Sequence, residues 1–264
     1  MSRTGVTDMT MSEEPAVHTD FVKGCGGARL AVHRVGEGRP VVLLHGLFSS
    51  ADVNWIKYGT AARVAAAGFE VIMPDLRAHG QSDAPHEPSA YPDDVLVRDL
   101  EALIGRLGLS DYDLGGFSLG ARTVARGVIA GLSPRRLVLG GMGLDGLAGW
   151  ERRTVFFMDA IDRFGTIGRD DPAYFAQNFM KSMRVDRVAA RLLLQSVDDT
   201  APEELARITM PALVVCGAQD RDNGSAQALA EALPDARYHE IPGTHMSSVT
   251  QRQFGEAIAQ FLVE

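Results

Sequence analysis

The chain has 264 residues, 45% hydrophobic and 23% charged, with a formal net charge of −8. That size suits one large domain, or one domain carrying an insertion, around a sizeable core. The acidic balance excludes an electrostatic basis for binding nucleic acid or an anionic membrane, and no apolar run has membrane-spanning length. Neither a secretory leader nor a cysteine framework is evident. Cys25 and Cys216 lie in apolar or glycine-rich surroundings and are expected to be small buried residues of a cytoplasmic protein.

Taken in order, residues 1–17 show no apolar periodicity and read as a disordered tail. Phe21–Lys23 and Arg29–Val35 alternate, which predicts an antiparallel pair turned at Gly24–Gly27. Pro40–Leu44 is a continuous apolar run, the pattern of a strand buried on both faces, and it opens into His45-Gly46-Leu47-Phe48. A helix is predicted from about Asn54 to Ala67, then a buried strand Phe69–Met73 and a polar loop to Ser82. Asp93 or Asp94 is expected to cap a helix reaching Leu107, with Val95, Val97, Leu100, Leu103 and Ile104 as its apolar stripe. A strand ending near Phe117, a helix to about Gly131 and a strand Arg136–Gly140 follow.

Between residues 144 and 207 the alternation lapses into a helical pattern with Phe156, Phe157, Phe164, Phe175 and Phe179, read as a helical lid inserted after a strand. Strand Ala212–Val215, a helix around Ala226–Leu233, strand Arg237–Ile241 and a last helix from about Thr250 resume it. Repeated β-then-α units imply an α/β fold, a mostly parallel sheet with helices on both faces, with residues 18–143 and 208–264 as core.

In such a sheet, function gathers beyond the carboxyl ends of the strands. Gly116-Phe117-Ser118-Leu119-Gly120 stands there as G-x-S-x-G, a spacing that puts a serine at the tip of a sharp strand-to-helix turn. Alone it is equally an ordinary glycine-rich turn. A serine nucleophile needs a base, and His245, after the last strand, is the candidate. His45 is expected to fix its own loop instead, and His79 has a weaker claim. Asp220 is the candidate acid that orients the base, with Asp145 and Asp222 as alternatives. The backbone N–H groups of Leu47 and Leu119 are the expected oxyanion donors. Gly141–Gly146 spells G-x-G-x-x-G, but no second strand with an acidic residue follows, so no nucleotide cofactor is expected. No spacing suggests a metal.

His45-Gly46-Leu47-Phe48, Asp75-x-Arg77-x-x-Gly80-x-Ser82, the Ser118 turn, Gly217-x-x-Asp220 and Gly243-x-His245, in that order, make the chain resemble the α/β-hydrolase superfamily in its lid-bearing branch. The resemblance implies an eight-stranded sheet, the lid after the sixth strand, and acyl-enzyme chemistry without a cofactor. Haloalkane dehalogenases and epoxide hydrolases of that family carry aspartate where Ser118 stands. The expected function is hydrolysis of a small, largely apolar ester, thioester or lactone, with Phe48, Phe117, Met142, Phe157 and Phe179 as candidate pocket residues. C–C-bond hydrolysis or perhydrolysis by the same residues is an alternative, as is a small-molecule receptor or signalling protein on the same fold. No nucleic-acid or membrane partner is expected, and the oligomeric state is left open.

Overall fold

The computed structural model describes residues 16–264, so all but the last two residues of the expected tail lie outside the described residues. In chain order the elements are β1 (His18–Lys23), β2 (Arg29–Val35), β3 (Arg39–Leu44), α1 (Thr60–Ala66), β4 (Phe69–Pro74), α2 (Val95–Leu107), β5 (Asp113–Phe117), α3 (Leu119–Ala130) and β6 (Leu137–Gly140). Four helices then intervene, α4 (Leu144–Leu147), α5 (Trp150–Asp162), α6 (Tyr174–Ser182) and α7 (Arg187–Gln195). The chain returns through β7 (Ala212–Gly217), α8 (Ala226–Ala232), β8 (Ala236–Ile241), the single turn α9 (His245–Ser248) and α10 (Arg252–Val263).

The strands form one eight-stranded sheet in the order β1-β2-β4-β3-β5-β6-β7-β8. β1 and β2 pair antiparallel, β2 meets β4 antiparallel, and every later pairing is parallel. The apolar run of β3 explains its central place, since Val41, Val42 and Leu43 are fully buried between two helical layers. On one face Trp55 stacks on Phe254 of α10 with ring centroids 5.8 Å apart, beside Val64 of α1 and Ile258. On the other, Leu100 and Leu103 of α2 and Val124 of α3 join a core that continues into Trp150, Ile161 and Leu193 of the inserted helices. No helix among the described residues is long and apolar enough to cross a membrane.

Three local expectations differ. The helix expected from Asn54 to Ala67 is broken: a wide π-type turn occupies Asp52–Ile56, and Gly59 at φ 77° separates it from α1. Asp94 is the N-cap residue of α2 but makes no side-chain capping bond, because it sits at φ 51° with its carboxylate drawn to Arg126, whose Nε donates to Oδ2 at 2.7 Å. Cys216 is buried, but Cys25 is only partly so.

Candidate active site

β5 hands over to α3 through one residue. Ser118 takes φ 54° and ψ −115°, a conformation strained for any side-chain-bearing residue. Its flanking glycines make the turn possible. A Cβ on Gly116 would stand 2.2 Å from the carbonyl carbon of Gly120, and one on Gly120 would stand 2.1 Å from the carbonyl oxygen of Leu44. The Ser118 N–H donates to the Gly140 carbonyl at 2.9 Å, tying the turn to β6.

The result is a hydrogen-bonded chain of three side chains from three distant segments. Ser118 Oγ lies 3.0 Å from His245 Nε2, and His245 Nδ1 lies 2.8 Å from Asp220 Oδ2. An acceptor carboxylate at Nδ1 fixes the proton on that nitrogen, leaving Nε2 free to accept from the serine hydroxyl. All three residues are buried. Asp220 follows β7 and His245 follows β8, neighbours in the sheet, so the parallel register carries both side chains to the same edge. The Phe117 ring supports the imidazole from below at 5.0 Å.

Burial alone would raise the Asp220 carboxyl, but its hydrogen bond to His245, the His245 charge, the Asp222 N–H and the Cys216 thiol together hold it below the usual carboxylate range. Of the alternative acids, Asp222 is exposed and gives Asp220 its backbone N–H at 3.0 Å. Asp145 is exposed too, and its carboxylate lies against Gly224. Among the described residues, Asp220, Asp222 and His245 are the one group of three with ligand-type atoms close enough to share a cation, within 4.8 Å. Asp220 and His245 spend their facing atoms on each other.

The loop after β3 is held by side chains that take up its N–H groups one at a time. The Gly46 N–H donates to Asn54 Oδ1 at 3.0 Å, that of Phe48 to His79 Nε2 at 2.9 Å, and that of Ala51 to Asp75 Oδ1 at 2.9 Å. His45 Nε2 accepts from the Leu76 N–H at 2.9 Å, so His45 fixes the loop as expected. Burial pushes His45 below its ordinary pKa and brings His79, beside it, down to about 3, so both are neutral acceptors. Among the described residues, the N–H groups of Leu47 and Leu119 have no acceptor, and both flank the Ser118 turn.

The candidate pocket residues divide. Phe48 and Met142 belong to the core layer shared with the inserted helices, and Phe157 of α5 meets Phe48 edge-on at 5.6 Å. Phe179 is half-buried against the same layer. Phe117 belongs to the opposite layer, with its ring against Phe254 at 5.9 Å, so it braces His245. Sequence reasoning missed Cys216, whose thiol donates to Asp220 Oδ2 at 3.3 Å, and Asn54, which anchors Gly46. Cys216 stands four residues before Asp220 at the end of a buried strand, a spacing that could have flagged it. Asn54 carries no comparable signal.

Comparison with known proteins agrees with this architecture. Residues 39–128 match the family described as the alpha/beta hydrolase fold. A Synechocystis protein named as a candidate non-heme chloroperoxidase is 28% identical over 79% of this chain and 85% of its own length. A bifunctional epoxide hydrolase 2 from Sus scrofa is 37% identical, but over only 40% of this chain and 20% of its own. Among solved structures, a thermophilic esterase from Thermogutta terrifontis superposes with a TM-score of 0.75 at 21% identity, covering 93% of this chain and 98% of that one. The chain is thus similar to the α/β-hydrolase family over residues 39–128 and shares the fold of the esterase structure along nearly its whole length.

Proposed function

We propose that the protein is a serine hydrolase that cleaves a small carboxylic ester, thioester or lactone through an acyl-enzyme. The observation that carries this reading is the unbroken chain from Ser118 Oγ through His245 to Asp220, with spacings of 3.0 and 2.8 Å. Ser118 attacks the acyl carbon while His245 Nε2 takes its proton. The carbonyl oxygen becomes an oxyanion and accepts from the N–H groups of Leu47 and Leu119, which have no other acceptor to release first. His245 returns the proton to the departing alcohol or thiol, then takes one from water as it attacks the acyl-enzyme, freeing the acid and Ser118. Asp220 holds the imidazole in the required tautomer throughout. The α5–α7 segment serves as a lid, since its Phe157 packs on Phe48, next to Leu47. Free thiols at Cys25 and Cys216 fit the reducing, cytoplasmic setting expected above.

Ser118 argues against epoxide hydrolysis, which in this family uses an aspartate at that position. The relative named for chloroperoxidase favours one second outcome: hydrogen peroxide in place of water would attack the acyl-enzyme and release a peracid. A fluorophosphonate probe tests the main reading. One adduct is expected on the intact protein, absent from Ser118→Ala, together with ester turnover that falls at least about 10³-fold in that variant. No adduct would overturn the reading, and an adduct without turnover on a broad ester panel would favour a receptor.

A further inference from the structure

α5 touches the loop after β3 and the loop that carries Asp220 with one face. Arg153 and Phe157 lie one helical turn apart on it. Phe157 rests on Phe48, one residue beyond Leu47 in the loop after β3. Arg153 Nη1 donates to the carbonyl of Asp222, in the loop that carries Asp220. The guanidinium also lies over the Phe157 ring, 5.3 Å from its centroid. Asp222 in turn has a carboxylate oxygen within 4.8 Å of the facing atoms of Asp220 and His245. Arg153 and Phe157 thereby link the loop that carries Asp220 to the loop after β3.

Its bonding there is incomplete. A guanidinium offers five N–H donors in a planar fork suited to a carboxylate. The Nε of Arg153 is buried without an acceptor. Among the described residues no carboxylate lies within 4.0 Å of it, whereas Arg77, Arg126 and Arg163 are ion-paired with Asp99, Asp94 and Asp171. Burial lowers its pKa, and the more distant charges of Asp222 and Asp220 offset this only in part. Its charge and its Nε donor are thus left unmatched by any carboxylate among the described residues. In a chain with net charge −8, an anionic substrate needs a local cation of this kind to be held there.

We infer that Arg153 anchors a carboxylate of the substrate, so that the preferred esters or lactones carry an acid group besides the bond that is cleaved. This rests on the serine-hydrolase reading and narrows it, replacing the largely apolar substrate expected from the sequence. The test compares two matched pairs in which a terminal methyl becomes a carboxylate: ethyl valerate with monoethyl glutarate, and ethyl butyrate with butyryloxyacetate. The first pair carries the charge on the acyl side, the second on the alcohol side. Acid release is followed for the wild type, Arg153→Met and Arg153→Lys.

The wild type is expected to favour at least one anion by about tenfold or more in kcat/KM. Arg153→Met is expected to lower that ester at least tenfold further than its neutral partner, chiefly through KM, with partial recovery in Arg153→Lys. Equal losses on both members of a pair, or no preference for either anion in the wild type, would overturn the anchor and leave Arg153 as a brace between α5 and Asp222. Glutarate itself gives a readout that needs no turnover: it should raise the melting temperature of the wild type but not of Arg153→Met, and no rise would count against the anchor. Fluorophosphonate labelling reports on Ser118 independently, so failure of the anchor and failure of the hydrolase reading are distinguishable.

Discussion

Three donors converge on the Asp220 carboxylate: the imidazole of His245, the thiol of Cys216 and the N–H of Asp222. A buried carboxylate so surrounded stays ionised and keeps one geometry. Asp220→Asn is therefore expected to lower kcat by about 10²–10⁴ while the fold is kept, because an amide at this position favours the wrong imidazole tautomer. Asp145→Asn and Asp222→Asn, both at exposed carboxylates, are expected to stay within about threefold of wild type. Steady-state kinetics on one ester with the three variants decides the assignment, and a large loss at Asp145 would reverse it. At this scale the meeting of Ser118 and His245 was readable from the sequence, because backbone strain forces glycines to mark the turn and strand ends collect polar side chains. Cys216 was marked only by its spacing of four residues from Asp220, and Arg153 not at all. An arginine on a helix looks the same in sequence whether or not a carboxylate answers it.

Among the elements, the loop after β3 is the one whose shape matters most to the proposed chemistry. Asn54 and His79 take the N–H groups on either side of Leu47 and leave that of Leu47 itself without an acceptor among the described residues. Asn54 stands in the π-type turn, so the helix break overlooked in the sequence is what brings its amide to Gly46. Such wide turns often sit at functional sites, and they have no compositional signature. Asn54→Ala would leave the buried Gly46 N–H without a partner. It is expected to lower kcat about tenfold with little change in KM and to reduce the melting temperature, since an unsatisfied buried donor costs about 1–3 kcal/mol. An unchanged kcat would show that the loop holds its shape without the amide. The strands themselves were largely legible, because apolar runs such as Val41–Leu44 admit few other readings. Helix ends were less so: Asp94 looked like a cap but is held by Arg126 on a neighbouring helix.

For the molecule as a whole, acid is the condition that should loosen it first. His79 stays neutral when folded down to about pH 3, whereas an unfolded chain protonates it near its ordinary value of about 6.5. Between those limits the unfolded state binds more protons, so stability falls as pH drops, by up to about 1.4 kcal/mol per unit for this one residue. His45 acts in the same direction. Asp75, held at about 2 despite its burial by bonds to His33, Gln81 and Ala51, adds a further loss as pH falls from about 4 towards 2. The melting temperature is thus expected to decline from about pH 6.5 downward, and His79→Gln, which cannot take the proton, should flatten that decline. An equal slope in the variant would remove His79 as its source. The separation of the proposed base from its nucleophile has a different consequence. Ser118 and His245 are 127 residues apart in the chain. At about 5–20 residues per second of synthesis, the serine leaves the ribosome roughly 6–25 s before the histidine proposed to activate it. The proposed nucleophile therefore stays an unactivated hydroxyl on the growing chain until β8 has completed the sheet.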